Sequence, residues 1–208
     1  MNATARPAGP EYPPETGSAA DAPAAERLAA EARAAFLRGD ANRARECLVA
    51  ALELSPGDGE LALALGHAEM SADHLEAALA AYWSATLRWP KLAAAHSNHA
   101  LVLQLLGRAE EASRDALRAV SLDPNDIVGL KVLARIHLHA GQHEAAQGAC
   151  RLILEQDDGD SEARQMLEEA IIQEAKLAEN LSEKKAYRGA RPPRNARAPF
   201  AAPKPALP

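Results

Sequence analysis

From Glu26 to about Lys185, apolar residues recur three and four positions apart, and short polar turns interrupt them at regular intervals. That spacing places the apolar residues on one face of a helix, and alternating runs that would make strands are scarce. The interruptions have a fixed period. Pro56, Pro90 and Pro124 stand thirty-four residues apart and are the only prolines between Pro23 and Pro192. A proline ring ends a helix and removes a backbone donor, so a proline at a constant period marks one recurring break. A period of this size predicts stacked copies of one helical hairpin. Four units align without gaps, at 25–58, 59–92, 93–126 and 127–160.

Each unit reads as a first helix, a turn, a second helix and a break. The turn column holds Gly39, Asp73, Gly107 and Gly141, where the chain must leave a helix through positive φ. The second helices carry two small-residue columns: Ala44, Ala78, Ala112 and Ala146, then Ala51, Ala85, Ala119 and Ile153. Seven residues apart, these lie on one face and admit a close neighbour. The first helices supply Leu28, Ala35, Leu65, Leu103, Leu130 and Leu133 to the same interface. Residues 161–185 predict one further helix, apolar along Leu167, Ile171, Ala178 and Leu181 and charged at Glu168, Glu169, Lys176 and Glu179. One dry and one wet face suit a terminal cap.

Composition agrees with an all-α chain. Of 208 residues 48% are hydrophobic and only 3% aromatic, which favours close helix packing over a sheet. Residues 1–24 carry five prolines without apolar periodicity and read as a disordered arm. Residues 186–208 read as a disordered, basic, proline-rich tail. Arg188, Arg191, Arg194 and Arg197 recur every third residue there, so polyproline II would align them on one edge. The whole chain nevertheless carries a net −6, which argues against nucleic acid as the principal partner. The first residues lack an apolar signal core, and no run reaches the length of a membrane span. Two cysteines, Cys47 and Cys150, fall on helical faces as small hydrophobes. A cytoplasmic protein is expected.

The closest motif is in the third unit: Asn98-His99-Ala100, Leu106-Gly107-Arg108-Ala109-Glu110-Glu111-Ala112 and Ala119-Val120-Ser121-Leu122-Asp123-Pro124. The first unit adds Arg38-Gly39-Asp40 and Ala51-Leu52-Glu53-Leu54-Ser55-Pro56, the second Leu65-Gly66 and Tyr82, the fourth Ala140-Gly141-Gln142. On these residues the chain resembles the tetratricopeptide repeat family over about residues 25–185. The resemblance implies a right-handed superhelical solenoid of four helix pairs plus the capping helix. It also implies a concave groove lined by the first helices. Asp158 replaces the break proline of unit four, which predicts a straighter exit to the cap.

The same resemblance implies a non-enzymatic scaffold or adaptor that binds a peptide or partner subunit in the groove. The alternative it implies is a regulatory or substrate-recognition module associated with a bacterial glycosyltransferase or sulfotransferase. Groove positions are Arg33, His67, Asn98, Lys131 and Arg135. Chaperone-binding relatives use a Lys and an Asn where this chain has Ala29 and Arg33, so that particular clamp is not expected. Lys131, Arg135 and His139 stand four apart as a basic stripe. They either anchor an acidic peptide or pair internally with Glu162 and Glu169. Trp83 and Trp89 offer a secondary contact or pack locally on the following helix. Seven histidines lack the convergent spacing of a metal site, and no phosphate loop, nucleophile elbow or zinc-protease helix is present. No cofactor is expected, and a monomer or homodimer is expected.

Overall fold

The computed structural model describes residues 21–189. Among these, nine helices follow in chain order: α1 (Ala22–Leu37), α2 (Ala41–Leu54), α3 (Gly59–Ser71), α4 (Leu75–Arg88), α5 (Ala93–Leu105), α6 (Ala109–Leu122), α7 (Ile127–His139), α8 (His143–Gln156) and α9 (Ser161–Gly189). Each packs on the next along the chain, and α7 also touches both α5 and α9. The result is a stack of hairpins. No described helix is long and apolar enough to cross a membrane.

The four hairpin turns are built alike. Gly39, Asp73, Gly107 and Gly141 have φ of +76°, +59°, +75° and +70°. In each, the following N–H reaches five residues back, as Arg108 does to the Leu103 carbonyl at 2.8 Å. This closes the first helix in a Schellman turn. The breaks between units are also alike: Asp126 N–H bonds the Asp123 carbonyl at 3.0 Å, and Asp160 N–H the Asp157 carbonyl at 3.2 Å. Unit four therefore does not exit straighter for lack of a proline. Asp158 takes the turn, and the Asp157 side chain holds Gly159 N–H at 3.0 Å.

Asp58, Asp126 and Asp160 cap α3, α7 and α9 by accepting backbone N–H bonds, each an orphan donor satisfied. Both small-residue columns, through to Ile153, are fully buried. Gly66 explains one motif. A Cβ there would lie 2.4 Å from the Tyr82 ring, so the glycine leaves room for that buried aromatic against α3.

Two boundaries move. α1 begins at Ala22, inside the stretch read as an arm, because Pro23 is compatible with a first helical turn and the Asp21 carbonyl accepts from Ala24 and Ala25. α9 continues to Gly189, past 185. Residues 1–20 and 190–208, including Arg191, Arg194 and Arg197, lie outside the described residues.

Candidate functional site

The first helices α1, α3, α5 and α7 set one residue in register every thirty-four positions, along the wall of the expected groove: Arg33, His67, Leu101 and Arg135. Between α1 and α3 the wall opens into a hollow of about 970 Å³. Its apolar floor includes Ala29, Phe36, Leu63 and Ala64, and Arg33 and His67 stand at its edge with Glu26 and Glu60. Arg33 is exposed and forms no ion pair with any described residue. His67 lies edge-on to Tyr82, with ring centroids 5.6 Å apart. Partial withdrawal from water pushes the His67 imidazole below its ordinary value, and a hydrogen bond with Asn98 acts the other way.

Asn98 is engaged within its own helix as well. Its amide donates to the Ala94 carbonyl at 2.7 Å. Lys131 and Arg135 lie one unit further along, on α7, and are paired. The Lys131 ammonium is 2.7 Å from Asp160 and 3.0 Å from Glu162, and Arg135 bonds Glu162. These acids cap and open α9. Of the two internal partners considered from sequence, Glu162 makes the pairing; Glu169 is exposed and Asp160 takes its place. The structure thus divides the five groove residues into an N-terminal group, Arg33, His67 and Asn98, and a C-terminal pair tied to α9.

The Lys131–Asp160 pair has counterparts at two other junctions. Ser97 Oγ donates to Asp126 at 3.1 Å, and Leu63 and Leu92 pack against one apolar cluster. These residues occupy one register, the fifth residue of a unit against the cap of the next first helix. Sequence reading missed this contact, although aligning Asp58, Leu92, Asp126 and Asp160 as a column would have revealed it.

The tryptophans make local contacts while each stays more than a third exposed. Trp83 tilts against His99 of α5, with centroids 5.5 Å apart, and buried His99 bonds Asp115 of α6. Trp89 lies over Gly59, where an added Cβ would meet the indole at 2.8 Å. His137 bonds Gln142 at 2.6 Å, and Glu69 bonds His74 at 2.8 Å in the same register. The histidines are used singly, and among the described residues no three potential ligands converge on a metal position.

Comparison with solved structures places this geometry. A tetratricopeptide repeat protein from Parabacteroides merdae superposes with a TM-score of 0.65 at 22% identity, covering 76% of this chain and 62% of its own. The chain has the tetratricopeptide-repeat fold. The all-α, right-handed superhelical solenoid expected from the repeat period and the family resemblance is therefore correct. Pseudomonas aeruginosa PilF gives 0.66 at 17% identity, covering 84% and 79%. The first repeat domain of Spaghetti (RPAP3), bound to the HSP90 peptide SRMEEVD, gives 0.55 at 20%, covering 57% and 94%. In sequence, the human DnaJ homolog subfamily C member 7 is 34% identical over 101 residues. That match spans 48% of this tetratricopeptide-repeat chain and 20% of the relative. No family model matches the chain.

Proposed function

We propose that this chain is a non-enzymatic, cytoplasmic interaction scaffold that docks a peptide segment of a partner protein in its concave groove. The 970 Å³ hollow between α1 and α3 carries this reading. It joins an apolar floor to a guanidinium that pairs with no described residue, the combination that holds one apolar side chain and one carboxylate. Arg33 meets the carboxylate, Phe36 and Leu63 take the apolar side chain, and His67 contributes a neutral hydrogen-bonding edge. Acidic groups bind the C-terminal half only by exchanging with Glu162, since Lys131 and Arg135 are already paired. The peptide complex of Spaghetti supports an acidic segment as ligand. Ala29 supplies no second cation here, so recognition rests on Arg33 together with the apolar floor.

Fluorescence anisotropy against arrayed acidic and neutral peptides tests this. Acidic peptides with an adjacent apolar residue are expected to bind, and Arg33→Glu to weaken them at least tenfold. That follows from a charge-assisted bond worth about 1.5–3 kcal/mol. Equal binding by wild type and Arg33→Glu would remove the hollow from the site.

A further inference from the structure

In every complete hairpin, the second helix packs on the first. α9 is in register with a fifth first helix, because Ser161 aligns with Gly59, Ala93 and Ile127, the first residues of α3, α5 and α7. Those three helices have 13 residues each and turn back at the positive-φ column. The fifth residue of that column is Ala175, and the alanine Cβ resists that conformation. The turn is not made, and α9 runs straight for 29 residues. Its distal part, 176–189, has the 14-residue length of α2, α4, α6 and α8, but it projects onward instead of folding back.

The missing cover shows in exposure. Leu103 is 1% exposed, whereas Ile171 in the same register is 48% exposed. Ala175, Ala178 and Ser182 continue this bare stripe and are exposed.

We propose that a second copy of this chain covers the stripe, its α9 antiparallel to the first, so that each copy supplies the other's missing second helix. Small residues set the centre: Ala175 of each copy meets Ala178 of the other, and Ile171 seats between Ala178 and Ser182 of the other copy. In that register Glu168 faces Lys185, an opposite-charge pair on both sides of the two-fold axis. A lost turn that exchanges one element between identical copies is a low-cost route to a closed dimer. The antiparallel sense repeats that of every hairpin in the stack.

Sedimentation velocity on the full chain is expected to show a dimer at micromolar concentration. Ile171→Glu combined with Ala178→Glu alters only exposed positions and should give a monomer whose circular dichroism melt is unchanged. Orientation is tested with Glu168→Cys and Lys185→Cys chains, with Cys47 and Cys150 buried and silent. Mixed, they should form the heterodisulfide. Alone, neither should crosslink, because like positions sit about 25 Å apart along the paired helices. A monomeric wild type, a double variant that remains a dimer, or homodisulfides from the separate chains would each overturn the proposal.

Discussion

At Gly107 an added Cβ meets nothing within 4 Å, yet φ is +75°. The glycine is there for its backbone conformation alone. Gly107→Ala is therefore expected to lower stability by about 1–2 kcal/mol with no clash, read from the urea midpoint at constant slope. Asp73 holds the same conformation at +59°, so Asp73→Gly should raise the midpoint by up to about 1 kcal/mol, less the entropy that glycine adds to the unfolded chain. Gly66 is the opposite case. Its φ is ordinary, but a Cβ would enter the Tyr82 ring, so Gly66→Ala should cost about 1–3 kcal/mol by overpacking. The turn glycines were readable as a column in the sequence. The Gly66–Tyr82 contact was visible only as two motif letters, because their approach depends on how α3 and α4 cross.

The contact of α7 with α9 gives the end of the stack a pH response. The hydrogen bond from Lys131, then the Ala163 N–H, holds the Asp160 carboxyl below its ordinary value. The native value lies under the unfolded one, about 3.9. Its contribution is thus fully present above that pH and lost as pH falls through the native value. For Lys131, burial acts to lower the ammonium, but bonds to Asp160 and Glu162 outweigh it and raise the group. That contribution is present below the ordinary lysine range and lost only in strong alkali. Asp160→Asn keeps the cap and removes the charge, so it should cost under about 1 kcal/mol at neutral pH and flatten the acid limb of a stability–pH curve. Asp160→Ala loses the cap too and should cost about 1 kcal/mol more. Reversing Lys131 and Arg135 to Glu together sets like charges against Asp160 and Glu162, with an expected loss of about 2 kcal/mol. An unchanged melt in that variant would mean these pairs do not hold α9.

For the whole molecule, the period of Pro56, Pro90 and Pro124 made the hairpin stack legible, since each unit repeats the same local signals. The state of the groove was less so. Lys131 and Arg135 read as a basic stripe because helical spacing reports which residues share a face, not which acids the next unit brings opposite them. The straight passage of α9 through Ala175 was a departure from the turn column that the sequence did contain. Its two halves should separate by truncation. Removing 161–208 uncovers Leu130, Ala134, Cys150 and Ile153, against which Ala163 and Met166 pack. Loss of Met166 packing alone is of the size of a large-to-small core change, about 2–5 kcal/mol, so the melt should lose cooperativity and the protein aggregate. Removing only 178–208 leaves those contacts and the bond from Gln147 to Glu174 in place. That chain should melt like the full one but sediment as a monomer, while a chain ending at Gly189 remains a dimer. If the 178–208 deletion instead collapses the melt, the distal half of α9 supports its own stack, and the division between cap and dimer arm is wrong.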